Sequence, residues 1–419
     1  MKTVYNRFYT YIQNAGLYFF SSIFSAIVGV LLNPLLALNL SSYDYAILGY
    51  YSSFNLLLIP LLHLCLITYY ARQYYFIDED KRERMGNTIV LAINLIGLLS
   101  LTVFTGAFYF VYKVSDISVP FVPYAIITFT QLFITNNLTF YLTRLRIRRE
   151  AKKYAKITIL NCLLTSLLVV VFVVLFKKGA LGKLIATLIS AIVLAIYSFR
   201  KSLTKWEIDK TILRDSLKFG LPLTVSALFW YFATGVDRVF LEQLGDNNML
   251  GIYNVGVSIA AYMQILFTSL SSTFEPDVYQ SISQRNLKKT LFIILIIVSL
   301  VAIFNIIFIA CAPLLVKILT AGRYVSSVPF VRILALSNII MAIYHMIVKL
   351  LVGYGYVKGE LAVRICGALL AVLTFRYLIG NYGFIGAAWG QVFSFAILSF
   401  LGTAYLLYKK STNRRSLSK

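Results

Sequence analysis

The sequence predicts an all-α protein that crosses a membrane about twelve times, in two groups of six helices. Three observations predict this fold class: 59% of the residues are hydrophobic, only 13% are charged, and the mean hydropathy is +0.80. Long apolar stretches alternate with short polar loops along the chain. A water-soluble domain with so few charges would expose too much apolar surface, whereas a bilayer accepts an apolar exterior.

Each apolar stretch is close to the roughly 20 residues that cross the hydrocarbon core of a bilayer. The first stretch is too long for a signal-peptide core and has no cleavage site after it, so it counts as a span. The sixth stretch is short and carries Lys183. The predicted spans are 16–40, 45–69, 88–112, 121–142, 157–176, 180–199, 219–244, 249–274, 291–319, 328–353, 361–379 and 384–408.

The basic residues lie mainly in every second loop. With the N-terminus in the cytoplasm, 30 of the 39 lysines and arginines fall on the cytoplasmic side. This bias follows the positive-inside rule, so we expect both termini in the cytoplasm. The net charge of +23 then faces anionic lipid headgroups. Membrane topology thus accounts for most of the positive charge, and we expect no nucleic acid as a partner.

The longest inner connection separates six spans from six. We therefore predict an N-terminal six-helix lobe at 1–200, a cytoplasmic linker at 201–218, a C-terminal six-helix lobe at 219–409 and a basic cytoplasmic tail at 410–419. The two halves begin alike, each with a span, a tight polar turn and a second span whose start contains aromatic residues and glycine. Six spans per half give both halves the same direction, as in parallel-repeat transporters.

Several classes of site are absent from the sequence. It contains no GxxxxGK[ST] nucleotide loop and no HExxH zinc motif. The four cysteines, all within spans, have no metal-site spacing and are interpreted as packing residues. We therefore expect no metal and no cofactor. We also expect no enzymatic activity, because no outer loop offers paired carboxylates.

Ionisable residues at membrane depth are costly and usually face the interior of a helix bundle. Asp237, Arg238 and Glu242 lie in the outer third of span seven, and Arg238 and Glu242 are spaced to pair on one helix face. Arg238 would receive a substrate phosphate, and the carboxylates would act as a gate or a coupling-ion site. The alternative is an ion pair that holds the helix end. Arg332 would add positive charge to a lumen or extend to the headgroups.

Other polar residues in the spans allow two interpretations. His63 in span two would relay protons or make a packing hydrogen bond. Asn33, Asn254 and Ser258 in spans one and eight would line a wet cavity for sugar hydroxyls or let helices approach closely. Lys349 and Arg364, in contrast, lie near inner span ends, and we expect them to extend toward the headgroups.

Three segments resemble the polysaccharide-transporter branch of the MOP (multidrug/oligosaccharidyl-lipid/polysaccharide) flippase superfamily. They are GVDRVFLEQLG with LGIYNVG at 235–256, RLRIRREAKKYAKI at 144–157, and RYLIGNYGFIGAAWGQVFSFAILSF at 376–400. The resemblance covers essentially the whole chain; Arg376 departs from the polar, uncharged residue expected there. It implies two six-helix lobes related by a pseudo-twofold along the membrane normal, around a V-shaped cavity. It also implies flipping of a polyprenyl-diphosphate-linked oligosaccharide repeat unit from the inner to the outer leaflet.

The resemblance further implies a bacterial inner membrane, with O-antigen, capsule or a related polysaccharide as the product. Expected partners are the lipid-linked oligosaccharide, membrane lipids, and the polysaccharide polymerase and chain-length machinery. One alternative is a cation-coupled drug or solute antiporter of the same superfamily. It would need a carboxylate-rich lumen, whereas arginines suit an anionic diphosphate. A membrane glycan polymerase or glycosyltransferase is a second alternative, and it would need a substantial outer loop with catalytic residues.

Overall fold

The computed structural model describes residues 2–115, 117–284 and 286–417, and all regular secondary structure in these ranges is helical. The backbone alone is described for 2–15, Phe19, Asp80, Ser272, Pro276, Ser283, Val357 and 410–417. Two basic residues that the sequence assigns to the cytoplasmic side, Arg285 and Lys419, lie outside the described residues.

The chain divides into two compact units, Met1–Ala227 and Leu228–Lys419, and the division falls within helix α9. The first unit contains α1 Lys2–Asn39, α2 Ser42–Ser53, α3 Asn55–His63, α4 Leu66–Gln73, α5 Glu79–Val114, α6 Tyr124–Ile147, α7 Ala151–Val169 with a π-helical continuation Val170–Leu175, α8 Gly179–Ser202 and most of α9 Lys210–Thr234. The second contains the end of α9, α10 Asp237–Glu242, α11 Asn247–Ala260, α12 Tyr262–Ser283, α13 Leu287–Leu319, a short 3-10 helix Val325–Ser327, α14 Val328–Gly353 and α15 Val357–Leu417. The lobe limits drawn from the sequence stay a prediction.

The described helices supply the twelve predicted spans. Within the described residues, nine stretches are long and apolar enough to cross a membrane, and one of these, Lys358–Lys409, is 52 residues long. At 1.5 Å per residue it would extend about 78 Å, more than twice the roughly 30 Å of hydrocarbon. It therefore counts as two spans, and α6 and α9 correspond to predicted spans four and seven. The all-helical polytopic fold class is confirmed.

Helix α15 folds back on itself at Gly383. This residue has φ +57° and ψ −134°, a conformation that is accessible essentially to glycine alone. Residues at nearly equal distances on either side of it meet: Gly367 abuts the Leu398 side chain, and a Cβ on Gly390 would lie 2.6 Å from the Phe375 ring. The two halves of α15 are therefore antiparallel helices that correspond to predicted spans eleven and twelve.

Several spans are broken rather than continuous. Span two is divided into α2, α3 and α4, and the break between α3 and α4 consists of Leu64 and Cys65, both left-handed with φ +42° and +54°. Span seven is interrupted at Gly235 and Val236, and span eight at Ala261. Breaks at membrane depth are tolerated where the freed backbone groups face protein or water, and transporters often place binding groups there.

Asp44 joins two connections that the sequence assigns to the outer side of the first unit. Its Oδ2 accepts the Ser41 N–H at 2.8 Å, which completes the N-terminal cap of α2. Its Oδ1 accepts the Ala180 N–H at 2.7 Å, at the N-terminus of α8. A carboxylate at this position also interacts favourably with the α8 helix dipole.

Candidate functional site in the second unit

The break in span seven leads directly into a buried charge network. Gly235 and Val236 follow the last residue of α9, and α10 begins with Asp237 and Arg238. Asp237 has no exposed surface and Arg238 retains 9%. An Arg238 Nη1 lies 3.2 Å from Asp237 Oδ1, which makes an ion pair between adjacent residues. The same nitrogen donates to the Thr234 carbonyl at 3.3 Å, the end of the interrupted helix.

Helix α11 completes this network. The Tyr253 hydroxyl donates to Asp237 Oδ2 at 2.6 Å, and Arg238 Nε donates to Asn254 Oδ1 at 3.4 Å. Both α11 residues are buried. We call Asp237, Arg238, Tyr253 and Asn254 the Asp237 network. Three of its four members were predicted as site residues, and Tyr253 was missed because an isolated tyrosine in a span has no distinctive sequence signal.

The charges in the Asp237 network compensate each other. The carboxylate of Asp237 accepts hydrogen bonds at both oxygens, one from a guanidinium and one from a phenol. Taking such a pair out of water costs free energy that good geometry only partly returns. A phosphate could reach Arg238 only by competing with Asp237. This geometry favours the helix-end interpretation of Arg238, and Glu242, which is also buried, lies one turn further along α10.

The other predicted residues are dispersed. Arg332 is exposed on α14, two positions after Phe330, whose ring packs 5.4 Å from that of Tyr253. Residues two apart point to nearly opposite sides of a helix, so Arg332 faces away from the Asp237 network. Ser258, an exposed residue, donates to the Asn254 carbonyl at 2.8 Å. Asn33 is half-buried in α1 of the first unit.

His63 lies at the break between α3 and α4 in the first unit. Its Nδ1 accepts the backbone N–H of Cys65 at 3.1 Å. This contact requires an unprotonated Nδ1, because a protonated imidazole would present a donor to a donor. The histidine thus satisfies a backbone N–H that the left-handed turn leaves without a helical partner.

A second cluster in this unit, built around the Trp230 ring, was not predicted from the sequence. It combines aromatic rings with basic side chains. The Trp230 ring on α9 stacks on Tyr344 of α14, with centroids 6.0 Å apart and an interplanar angle of 14°. His345 lies 5.4 Å from the Trp230 ring and 5.4 Å from that of Phe267. The Arg364 guanidinium lies 5.8 Å from the Trp230 centroid, within cation–π range. We call these residues, together with the ion pairs described next, the Trp230 cluster.

Two ion pairs complete the Trp230 cluster. Lys349 Nζ lies 3.2 Å from Glu275 Oε2 and donates to the Ser271 carbonyl at 3.1 Å. Arg364 pairs with Glu360 one turn before it on α15. The side chains of Lys349 and Arg364 are 13% and 22% exposed. Both are therefore largely enclosed by protein, instead of extending to the headgroups as the sequence analysis expected.

The Trp230 cluster combines chemical groups that suit a large, amphipathic anion. The Lys349–Glu275 and Arg364–Glu360 pairs keep more exposed surface than the Asp237–Arg238 pair, so a phosphate can replace their carboxylates more readily, and a guanidinium offers it a planar fork of donors. The half-buried indole ring adds apolar surface beside the guanidinium, with one face already stacked on Tyr344. A buried donor also remains, because Arg364 Nε has no hydrogen-bond partner among the described residues. Among the described residues, no group of three or more His, Cys, Asp or Glu side chains could hold a metal.

Comparison with known proteins now assigns the chain to a family. The family described as polysaccharide biosynthesis protein matches residues 11–276, and the MatE family matches residues 222–378. A protein of Haemophilus influenzae, Lsg locus putative protein 1, is 25% identical over 66% of this chain and 67% of its own length. An uncharacterized membrane protein of Methanocaldococcus jannaschii is 21% identical over 54% of this chain and 57% of its own length.

Solved structures with the same fold are transporters. An inward-facing multidrug resistance MATE family transporter of the MOP superfamily has a TM-score of 0.73, with 16% identity over 94% of this chain and 96% of that one. The lipid II flippase MurJ has a TM-score of 0.66, with 16% identity over 94% and 87%. A MOP superfamily transporter of Pyrococcus furiosus has a TM-score of 0.64, with 16% identity over 96% and 95%. The chain therefore belongs to the polysaccharide biosynthesis protein family, and it shares its fold with transporters of the MOP superfamily.

Proposed function

We propose that this chain is a flippase that carries a polyprenyl-diphosphate-linked oligosaccharide repeat unit from the inner to the outer leaflet. The repeat units would serve assembly of O-antigen, capsule or a related polysaccharide in a bacterial inner membrane, with both termini of the chain in the cytoplasm. Membership of the polysaccharide biosynthesis family supports this class of substrate. The chain also shares its fold with a lipid II flippase, whose named substrate is a lipid.

The observation that carries the proposal is the Trp230 cluster. Arg364 and Lys349 supply two cations within one helical unit, and Trp230 supplies an aromatic face beside Arg364. A diphosphate would take the cations in exchange for Glu360 and Glu275, while a sugar ring would contact the indole surface that Tyr344 leaves free. The prenyl chain would stay in the hydrocarbon, so only the headgroup would need polar contacts from the protein. Product repeats would pass to a polysaccharide polymerase and its chain-length machinery.

The test replaces Arg364 and measures export. In a host deleted for the gene, Arg364→Ala should fail to restore surface polymer, and the complete prenyl-diphosphate repeat should accumulate on the cytoplasmic leaflet. Arg364→Lys should restore part of the export, because positive charge matters first and fork geometry second. The matched control is Arg376→Ala on the same helix, an exposed arginine outside the cluster, which should export normally. A complete repeat that faces outward but stays unpolymerised would contradict the flippase and favour a polymerase.

A cation-coupled antiporter is the second candidate, because the MatE family matches residues 222–378, most of which belong to the second unit. Its lumen would need carboxylates available to a cation. In the described residues of the Trp230 cluster, Glu275 and Glu360 are each paired with a basic side chain. Deletion of the gene separates the two candidates. Loss of resistance to cationic drugs with normal surface polymer would support the antiporter.

A further inference from the structure

A groove on the first unit lies outside the proposed transport function. Helix α6 packs against both α5 and α8, which themselves touch little, so α6 forms the floor and the other two helices form the walls. The groove has a volume of about 610 Å³. This lies within the roughly 300–1,000 Å³ of small-molecule sites.

The lining follows from helical spacing. Ile192, Ala195, Ile196 and Phe199 line one wall. Their i, i+3, i+4 and i+7 positions make one continuous apolar stripe on α8. On the floor, Asn137 of α6 meets Asn94 of α5, and the two amides exchange hydrogen bonds of 2.9 Å in both directions. Because these amides hydrogen-bond to each other, a molecule in the groove does not have to supply hydrogen bonds to the floor.

The connection 203–209 borders one end of the groove. Trp206 and Ile208 of this segment line the groove, and the Trp206 ring meets that of Phe199 edge-on at 6.0 Å. The segment is held at both ends by α5, since Asn87 Oδ1 accepts the N–H of Thr204 at 2.9 Å and the Thr88 hydroxyl accepts that of Asp209 at 3.0 Å.

Charge and depth identify the occupant. Arg200 is the charged residue in the described lining, and Lys201 and Lys205 lie beside it, although Glu207 also belongs to the neighbouring segment. The positive-inside bias places this mouth at the cytoplasmic surface, where anionic lipids are concentrated. Along α8, the eight helical steps from Ile192 to Arg200 rise about 12 Å, close to the ~15 Å of one hydrocarbon leaflet.

We propose that this groove binds one acyl chain of an anionic phospholipid of the cytoplasmic leaflet, whose phosphate contacts Arg200. The apolar stripe of α8 holds the chain, and Trp206 lies at the level of the ester region, a depth at which tryptophan is enriched. The lipid would fill the space between α5 and α8 that helix packing leaves open.

The test uses Trp206 as the probe. The full chain is reconstituted in two sets of phosphatidylcholine vesicles. One set contains phosphatidylglycerol brominated in the upper part of its acyl chains, and the other contains the same mole fraction of phosphatidylcholine brominated at the same positions. Trp206 emission is taken as the difference between the chain and its Trp206→Phe variant. We expect about fivefold stronger apparent binding of the brominated phosphatidylglycerol, because one basic residue at the surface contributes about 1 kcal/mol.

Three variants decide the result. Arg200→Gln should remove the preference for phosphatidylglycerol, whereas the control Lys201→Gln, which deletes the same charge at the adjacent exposed position, should keep it. Ala195→Phe, which fills the groove, should weaken quenching by both brominated lipids. The proposal is overturned if the two lipids quench equally in the parent chain. It is also overturned if Lys201→Gln acts like Arg200→Gln, or if Ala195→Phe leaves quenching unchanged.

Discussion

Removal of the Arg238 guanidinium tests whether the Asp237 network is structural. In Arg238→Ala, the fully buried Asp237 keeps the Tyr253 hydroxyl but loses its ion-pair partner. Breaking a buried pair in this way costs about 3–5 kcal/mol, because one charge stays behind uncompensated. The Arg238 contacts to Thr234 and Asn254 are long, at 3.3 and 3.4 Å, and add little. We expect the free energy of unfolding to fall by about 4 kcal/mol.

Two further variants divide this cost. Asp237→Asn combined with Arg238→Ala removes both charges, so the loss should shrink to about 2 kcal/mol or less, because no buried charge is left unpaired. Tyr253→Phe removes one hydrogen bond to a charged group and should cost about 1.5–3 kcal/mol. The double variant should therefore be more stable than Arg238→Ala alone.

The assay is reversible unfolding of the purified chain in mixed micelles at increasing fractions of a denaturing detergent, followed by tryptophan emission. Arg332→Ala is the control, since it removes an exposed arginine of the same unit and should change stability by less than about 0.5 kcal/mol. Export of surface polymer is measured in parallel. If Arg238→Ala unfolds like the parent chain while export is lost, the ion pair is dispensable for folding. Arg238 would then act on the substrate, which is one of the two roles that the sequence allows.

Three other predictions follow from the fold. Gly390→Val should destabilise the two-helix fold of α15 by about 1–3 kcal/mol in the same assay, since even a Cβ would meet the Phe375 ring at 2.6 Å; an unchanged unfolding curve would contradict the antiparallel packing. Asp44→Ala should cost about 2 kcal/mol by removing two hydrogen bonds to backbone N–H groups, and Asp44→Asn should cost less. In a chain without its native cysteines, a cysteine at Asp246 should react with an impermeant thiol reagent from outside the cell, and one at Lys205 only after lysis; external labelling at Lys205 would reverse the predicted topology.

The sequence was sufficient to predict the twelve spans because hydrophobic length is a property of contiguous residues. The break at Gly235 carries a local signal, a glycine just before charged residues. The break at Leu64 and Cys65 carries none, since neither residue type favours φ above zero. That turn depends on His63, which accepts the Cys65 N–H, and on the close approach of Gly220 to the Leu64 carbonyl.

The same distinction explains the candidate site. The Glu360–Arg364 pair has i, i+4 spacing and could have been predicted from the sequence. Lys349, in contrast, contacts Ser271 at a separation of 78 positions, and such a contact exists only once the helices have packed. Charge at the ends of spans was recognised, but its partners were not, so both cations were assigned to the lipid headgroups.

The turn at Gly383 also bears on how the chain enters the membrane during synthesis. The stretch from Tyr377 to Gly386 contains no charged side chain, so little electrostatic work opposes its passage across the bilayer. The two halves of α15 pack against each other across the turn at Gly383, so they can leave the insertion machinery as a pair. In this pair, Gly367 of the first half is covered by Leu398 of the second, and Gly390 of the second is covered by Phe375 of the first. An epitope inserted at this turn should keep the two halves of α15 from packing together during insertion. The exposed turn at Gly245 should accept the same insertion, because its neighbours are solvent-exposed.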